Sequence, residues 1–252
     1  MSCDPYLSLV IPAYNEEGRI WDTLGKVTRY LKTRPFSWEV VVVDDGSTDT
    51  TANLVRDYIK DNPDVHLISV PHGGKGWAVK HGMLQSQGTF RFLCDTDLSM
   101  PIEYLAQFLP SDGHSNDIII GSREVPGARR VGEPLGRHIM GRTFNLFCRL
   151  LAVPGVHDTQ CGFKSFKGHV AERLSNLQRI NGFGFDVEIL FLAKKFGIKV
   201  LEIPVEWHYR SCSKVSPFQD SIRMMGDLLS IRWHNLRGHY TKVKVPPRKN
   251  YT

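Results

Sequence analysis

The chain has 252 residues, of which 41% are hydrophobic and 23% are charged, and its formal net charge is +6 at pH 7. The length suits one large α/β domain with a buried core, and the composition excludes a largely disordered or collagen-like chain. The positive charge suits a phosphate, an acidic lipid surface or RNA equally well, so charge alone does not identify the ligand.

The first half alternates short β-branched runs with helix-like segments, the pattern of a parallel sheet covered by helices. The predicted strands cover residues 7–11, 39–43, 65–70, 90–94 and 118–120. Asn15 is predicted to cap the first helix, with Glu16 and Glu17 in its first turn. Further helices are predicted over 50–59 and 77–84, with a loop over 72–76 between strand and helix.

The pattern is less regular beyond Gly121. Residues 123–136 are rich in Gly, Pro and Arg and predict a loop. Helices are predicted over 135–153 and 217–236, and a strand over 201–205. No repeat, low-complexity tract or linker marks a boundary, so we interpret residues 1–252 as a single domain.

Targeting signals and cysteine pairs are not apparent. No run reaches the roughly 18 apolar residues of a transmembrane helix, and the first residues do not have the pattern of a secretory signal. The five cysteines are widely spread and form no C-x-x-C pair. We therefore expect a cytoplasmic protein with reduced thiols and neither a disulfide framework nor a zinc site.

Polar clusters follow the predicted strands, where ligands bind in open α/β sheets. Asp95 and Asp97 follow the fourth strand, and their carboxylates can share Mg²⁺ or Mn²⁺ with phosphate oxygens. Such a metal stabilises a departing diphosphate as a Lewis acid. A D-x-D pair can instead be a solvated turn, but its position after a buried strand and among the other clusters favours a metal site.

Two further clusters carry weaker signals. Asp44 follows a run of valines and can accept a hydrogen bond from a base or a ribose. Alternatively residues 44–49 cap the next helix; Ser47 or Thr48 is expected to do so, which leaves Asp44 and Asp45 available. The Gly-Gly-Lys-Gly run at 73–76 does not have Walker A spacing, so it is either a phosphate-binding loop acting through backbone N–H groups or an ordinary loop.

Four motifs in this order resemble glycosyltransferase family 2. They are P-A-Y-N-E at 12–16, V-D-D-G-S-T-D at 43–49, G-K-G at 74–76 and D-T-D-L-S at 95–99. In the second half, four more are similar to the dolichyl-phosphate β-glucosyltransferases and bacterial polyprenyl-phosphate enzymes of that family. These are G-S-R at 121–123, D-T-Q-C-G-F-K at 158–164, F-D-V-E at 185–188 and S-K-V-S-P-F at 213–218.

The resemblance covers nearly the whole chain and implies an α/β fold of the GT-A type. Such a fold has a mostly parallel central sheet with helices on both faces. It comprises a Rossmann-like nucleotide-sugar-binding half, about residues 1–122, and an acceptor-binding half, about residues 123–252.

The resemblance also implies roles for individual residues. The nucleotide sugar would be bound by Pro12, Tyr14, Glu16, Asp44, Lys75, Asp95 and Thr96. The metal would be held by Asp95 and Asp97, and catalysis would depend on Asp97, Arg123, Arg137 and Lys214. Ser99 stands where related mannosyl enzymes have a glutamine, which weakens any transfer of their metal geometry or sugar choice.

The implied reaction is an inverting transfer of glucose from UDP-glucose to a polyprenyl phosphate, at the cytoplasmic face of a membrane. Residues 139–153 mix apolar side chains with Arg142 and Arg149, which suits an interfacial helix or a core helix with arginines at its edge. Asp186 and Glu188 are interpreted either as a base for a hydroxyl acceptor or as structural residues near a helix start.

Alternative interpretations differ in donor, acceptor or activity. They are a family 2 transferase that uses GDP-mannose or a soluble acceptor, and a nucleotide-sugar-binding protein without catalysis. No nucleic-acid partner is expected, because the sequence has no aromatic platform or basic stripe of the usual kind.

Overall fold

The computed structural model of the chain describes residues 4–110, 116–210 and 217–241. Within this part the strands are β1 (Leu7–Ala13), β2 (Trp38–Asp44), β3 (Val65–Ser69), β4 (Phe90–Leu93), β5 (Ile118–Ser122), β6 (Arg129–Val131), β7 (Lys164–Lys167), β8 (Val200–Pro204) and β9 (Glu206–His208). The helices are α1 (Ile20–Leu31), α2 (Thr51–Ile59), α3 (Lys75–Gln85), α4 (Leu135–Leu151), α5 (Gly168–Leu177), α6 (Phe185–Lys195) and α7 (Pro217–Leu236), with a 3₁₀ helix over Ile102–Phe108.

A seven-stranded sheet has the order β3-β2-β1-β4-β7-β5-β8. Its neighbours are parallel except that β7 runs antiparallel between β4 and β5. A separate parallel ribbon pairs β6 with β9. The mostly parallel sheet expected from the sequence is therefore confirmed.

Helices cover both faces of this sheet. Along β1, Leu9 and Ile11 pack in one core cluster with Leu24 of α1. Val10, between them, points to the opposite cluster, with Ala78 of α3. This period-2 alternation of apolar residues between two buried faces explains why the strand is apolar apart from Ser8.

The predicted cap of α1 is wrong. The helix begins at Ile20, and its first residues have no side-chain cap. Asn15 instead has a positive φ of 51°, and its side-chain oxygen accepts a hydrogen bond from the Thr48 amide at 2.8 Å. Asn15 therefore ties the end of β1 to the loop that follows β2.

The predicted start of α3 is also wrong, because the helix begins at Lys75 and not at Trp77. The Trp77 amide donates to the carbonyl oxygen of Asn181 at 3.1 Å. A Cβ on Gly76 would lie only 2.8 Å from the Ile180 carbonyl oxygen. The glycine thus allows the first turn of α3 to pack directly on the segment before α6.

The stretch 123–136, predicted as a loop, contains β6 and the start of α4. The Arg129 amide donates to Val205 at 3.1 Å, and β6 then pairs with β9. No helix in the described ranges is long and apolar enough to cross a membrane.

Candidate active site

The site lies at the point in the sheet where the chain, after adding β2 and β3 on one side of β1, continues with β4 on the other side. Strand β1 sits between β2 and β4, so the carboxyl ends of these strands border a crevice of the kind that binds ligands in α/β sheets. A cavity of about 220 Å³ opens there. Its charged lining residues are Lys75, Asp95, Asp97, Arg123, Arg130, Glu133 and Asp186.

Lys75 and Asp95 form an ion pair in this cavity. The Lys75 ammonium lies 2.7 Å from Asp95 Oδ1. Burial lowers the pKa of Lys75, but the charges of Asp95 and Asp186 raise it by more, so its pKa lies above the ordinary value. Lys75 is therefore a permanent cation at the start of α3, next to the predicted metal site.

Gly162 makes room for the Asp95 carboxylate. A Cβ at position 162 would lie 2.0 Å from Asp95 Oδ2, far inside van der Waals contact. The loop between Asp158 and Lys164 therefore approaches the end of β4 as closely as only a glycine permits. Because Gly162 has no Cβ, Asp95 Oδ2 can occupy this space while Lys75 binds Asp95 Oδ1.

Asp97 differs from Asp95 because no cation pairs with it among the described residues. Its Oδ1 accepts a hydrogen bond from the Ser99 amide at 2.8 Å. Ser99 lines the cavity, and its buried hydroxyl oxygen has no hydrogen-bond partner in the described part of the chain. The site thus has a carboxylate with no directly bound cation among the described residues, beside an unpartnered hydroxyl oxygen.

This donor set fits a hard divalent cation. Carboxylate and hydroxyl oxygens are hard ligands, and Mg²⁺ is commonly bound by one or two carboxylates together with waters and substrate phosphates. In the described ranges no cluster of three or more His, Cys, Asp or Glu side chains is arranged to hold a metal. A cation here would therefore need ligands from its substrate or from water.

Arg123, a predicted cation for phosphates, lines the cavity in a buried ion pair. Its Nε and Nη2 donate to Asp158 at 2.7 and 2.9 Å, in a two-pronged arrangement. Burial raises the pKa of the Asp158 carboxyl, but the Arg123 charge and hydrogen bonds hold it well below its usual range. The guanidinium also lies 5.5 Å from the Trp207 ring. Its orientation is thus fixed from two sides.

Asp186 lies on the cavity wall and pairs with a buried lysine. Lys164 Nζ donates to Asp186 Oδ1 at 2.5 Å and to the Cys161 carbonyl oxygen at 2.6 Å. Burial raises the pKa of Asp186, and the Lys164 charge only partly offsets this. Because both charges are held inside the protein, Asp186 is positioned through this pair.

Glu188, the other acid of the same motif, has a structural role. Its carboxylate accepts hydrogen bonds from the Arg179 and Ile180 amides and from the Tyr240 hydroxyl, the last at 2.6 Å. It is fully buried and does not line the cavity. Of the two interpretations made from the sequence, the geometry therefore favours the structural one for Glu188.

The predicted nucleoside residues lie at the neighbouring strand ends, outside the lining of this cavity. They are Pro12, Tyr14, Glu16, Asp44 and Thr96. The Tyr14 ring stacks on His72 with a centroid distance of 4.2 Å. Thr96 contributes its carbonyl oxygen to a hydrogen bond from the Thr23 hydroxyl at 2.6 Å.

Asp44 and Asp45 are not free, contrary to the sequence-based expectation. Asp44 accepts a hydrogen bond from the Ser47 amide at 3.2 Å. Asp45 accepts bonds from the Gly73 and Gly74 amides, each at 2.9 Å. The two acids therefore shape the loops after β2 and β3, and two amide groups of the glycine loop are already bound to Asp45.

Two predicted catalytic cations cannot be placed in the cavity. Arg137 belongs to α4, but its side chain is not described, and Lys214 lies outside the described residues. Sequence reasoning missed Arg130, Glu133 and Lys164. The first two occur in the stretch interpreted as a loop, and a buried lysine in a strand has no sequence signal apart from the motif that contains it.

Comparisons with known proteins agree with this picture. The model of the family described as "Glycosyl transferase family 2" matches residues 8–173. The dolichyl-phosphate β-glucosyltransferase of Dictyostelium discoideum is 36% identical over 253 residues, which cover 95% of this chain and 77% of that protein.

Two solved structures share the fold. Mannosyl-3-phosphoglycerate synthase from Rubrobacter xylanophilus superimposes with a TM-score of 0.68 at 16% identity, covering 97% of this chain and 79% of the other. Glucosyl-3-phosphoglycerate synthase from Mycobacterium tuberculosis was solved with Mn²⁺ and UDP-glucose. It superimposes with a TM-score of 0.64 at 18% identity, covering 90% of this chain and 79% of the other. The GT-A fold expected from the sequence is thereby confirmed.

Proposed function

The chain belongs to glycosyltransferase family 2, and we propose that this glycosyltransferase moves glucose from UDP-glucose to a dolichyl-type polyprenyl phosphate. The observation that carries the proposal is the cavity at the end of β4, where Asp97 has no cation partner among the described residues. The 36% identical relative, which covers most of both chains, supports the choice of glucose and of dolichyl phosphate.

Asp95, Asp97 and the nearby Ser99 would hold a divalent cation, Mg²⁺ or Mn²⁺. When bound, such an ion supplies Lewis-acid stabilisation of a diphosphate leaving group. The M. tuberculosis structure with Mn²⁺ and UDP-glucose supports a metal of this kind in the shared fold. Lys75 adds a fixed positive charge next to the same phosphates, since its pKa stays above the ordinary value.

The chain does not need a strong base for this reaction. A lipid phosphate is already anionic at neutral pH, so catalysis reduces to positioning and charge control. Arg123, Arg137 and Lys214 are proposed to reduce the repulsion between the two phosphorylated substrates. Of these, Arg123 is held on the cavity wall by Asp158.

The cavity also argues against a covalent cysteine intermediate. Cys161 lines it, but burial raises the pKa of this thiol to about 12. A protonated thiol is a poor nucleophile at neutral pH. Direct displacement by the acceptor phosphate then inverts the anomeric carbon.

We assign donor binding to about residues 1–122 and acceptor binding to about residues 123–252. In the first half Pro12, Tyr14, Glu16, Asp44 and Thr96 are proposed to hold the nucleoside. Their places at the ends of β1, β2 and β4 support this, because those ends border the crevice at which nucleotides bind in such sheets.

Membrane contact is proposed through α4. Its exposed residues Leu135, Ile139, Leu146 and Leu150 recur at helical spacing, opposite the buried Phe144 and Cys148. An outward apolar stripe mixed with arginines is typical of a helix that lies in a membrane interface. The core-helix alternative accounts only for the buried side of α4.

The test is a transfer assay with UDP-glucose, GDP-mannose, short polyprenyl phosphates and Mn²⁺. We expect a glucosylated lipid phosphate of inverted anomeric configuration from UDP-glucose, and at least a tenfold lower rate from GDP-mannose. Equal rates with a polyprenol that has no phosphate, or with a soluble sugar acceptor, would contradict the proposed acceptor. Binding of UDP-glucose without any transfer would instead indicate a nucleotide-sugar-binding protein.

A further inference from the structure

A second cavity lies on the other side of α4 from the active site. Its volume is about 380 Å³, its charged lining residues are Glu124, Arg142 and Arg149, and His157 also lines it. Asn145 lines both this cavity and the one at the end of β4. The side-chain oxygen of Asn145 accepts a bond from the Thr159 hydroxyl at 3.1 Å, so α4 is anchored between the two cavities.

The positive charges of this second cavity are weakly compensated. Arg142 Nε is 3.8 Å from Glu124, and the arginine side chain is 65% exposed. Glu124 is already bound more closely by Arg130. Arg149 has no ion-pair partner in the described part of the chain. Two guanidinium groups are therefore available to an anion, and guanidinium groups bind phosphate in a two-pronged geometry.

The cavity opens beside apolar side chains on the same face of α4. Arg142, Leu146 and Arg149 are spaced four and three residues apart, and Leu150 lies one turn beyond Leu146, so these side chains occupy adjoining positions on one side of the helix. Leu146 is 51% exposed and Leu150 69% exposed. A ligand that fits both the arginines and the leucines must have an anionic group and an apolar part.

We propose that this basic cavity binds the phosphate of an anionic phospholipid headgroup, while the neighbouring leucines contact its acyl region. The site differs from the proposed catalytic cavity, and it makes the contact of α4 selective for acidic membranes. This inference rests on the proposed membrane contact of α4. A free phosphate would satisfy the arginines but would leave the leucines exposed to water.

The experiment is flotation of the full chain with two kinds of vesicle. One consists of phosphatidylcholine and the other of phosphatidylcholine with phosphatidic acid. The test variant is the double substitution Arg142→Gln and Arg149→Gln. The matched control, Arg29→Gln and Arg56→Gln, removes the same charge from exposed positions on α1 and α2.

We expect the test variant to bind the acidic vesicles about thirtyfold more weakly than the wild type, since each surface-bound arginine contributes about fivefold. The control should bind almost as the wild type does. An equal loss of binding to acidic vesicles in both variants would overturn the proposed site, because it would reflect net charge alone. A calorimetric titration with inorganic phosphate separates the two anion sources: phosphate binding that depends on Arg142 and Arg149, with unchanged vesicle binding, would overturn the lipid assignment.

A third variant separates this site from the membrane contact itself. Ile139→Gln with Leu150→Gln should weaken binding to both kinds of vesicle, because it removes apolar contact and no charge. If it has no effect while the arginine variant does, the proposed apolar contact of α4 fails, and the assignment of the bound anion to a membrane lipid fails with it. None of these measurements needs turnover, so their outcome does not depend on the transfer assay.

Discussion

Lys75 is bound to one of the two acids of the proposed metal site. Its ammonium lies 2.7 Å from Asp95 Oδ1, on a carboxylate proposed to hold the metal. A cation that approaches Asp95 must therefore compete with Lys75 or displace it. Once a diphosphate is present, the same positive charge favours its binding.

We predict that Lys75→Met increases the affinity for Mn²⁺ in the absence of nucleotide by about tenfold, or about 1.4 kcal/mol. The same change should lower the affinity for UDP-glucose, because a phosphate-binding charge is lost. Calorimetric titrations with Mn²⁺ and with UDP-glucose measure both effects. Lys80→Met is the matched control, since Lys80 lies on the same helix and donates to the Gln178 carbonyl oxygen. Unchanged Mn²⁺ affinity in Lys75→Met would show that Lys75 does not compete for the site.

At the residue level the sequence predicts the members of this site that follow strands. Asp95, Asp97 and Arg123 each come directly after a buried run, and the structure brings them to one cavity. Arg130 pairs locally with Glu124 and Glu133, within the stretch interpreted as a loop, where the sequence gives no reason to expect site residues. Lys164 pairs with Asp186 on another element, and such a pair depends on tertiary packing that spacing along the chain does not reveal.

At the level of elements, strands of the first half are predicted well because each is a short run dominated by β-branched or other large apolar residues. The run K-S-F-K at 164–167 has little apolar character and predicts no strand, and Lys164 is buried with Asp186 and the Cys161 carbonyl oxygen as its partners. The sequence suggests a helix start near Asp186 and Glu188 but does not predict the extent of α6, for a different reason. This helix is buried on nearly all sides, so the polar face that gives a surface helix its 3.6-residue period does not exist.

The close approach of the 158–164 loop to β4 gives an element-scale prediction. Gly162→Ala places a Cβ 2.0 Å from Asp95 Oδ2, so the Asp95 carboxylate must rotate away or the loop must move away from the end of β4. We expect Mn²⁺ affinity in the presence of UDP to fall at least tenfold while the protein remains folded. Calorimetry and circular dichroism measure the two properties.

Gly25→Ala is the control for this change. Gly25 lies in α1 with no atom within 4 Å of a Cβ added there, so the substitution should leave metal binding unchanged and stabilise the helix by about 0.5–1 kcal/mol. Wild-type metal affinity in Gly162→Ala would refute the role of this glycine.

For the whole molecule, the buried pair of Arg123 and Asp158 links stability to pH. The pKa of Asp158 is depressed below its ordinary value of 3.8 because burial is outweighed by Arg123. A depressed pKa stabilises the folded state above the unfolded pKa, and this contribution is lost as the pH falls through the folded value. The pair should therefore contribute fully at neutral pH.

We predict that Asp158→Asn lowers the free energy of unfolding by about 3–5 kcal/mol at pH 7, because it leaves a buried guanidinium uncompensated. The difference from the wild type should shrink as the pH drops below 3.8, the ordinary value of this carboxyl. Urea unfolding between pH 2 and pH 7 measures it, with about 0–1 kcal/mol expected for the exposed-pair control Asp57→Asn. If the difference in free energy of unfolding between Asp158→Asn and the wild type stayed constant across this pH range, the assigned pair would be contradicted.

The account as a whole depends on a divalent cation bound at Asp95 and Asp97 together with the diphosphate of the donor. The most direct measurement is a calorimetric titration of Mn²⁺ into the UDP-saturated protein, for the wild type, Asp97→Asn and the exposed control Asp57→Asn. We predict one UDP-dependent Mn²⁺ site in the wild type and the control, and an affinity at least tenfold weaker in Asp97→Asn. Equal Mn²⁺ affinity in all three proteins would contradict the proposed metal site, and with it the proposed role of these two acids in the transfer.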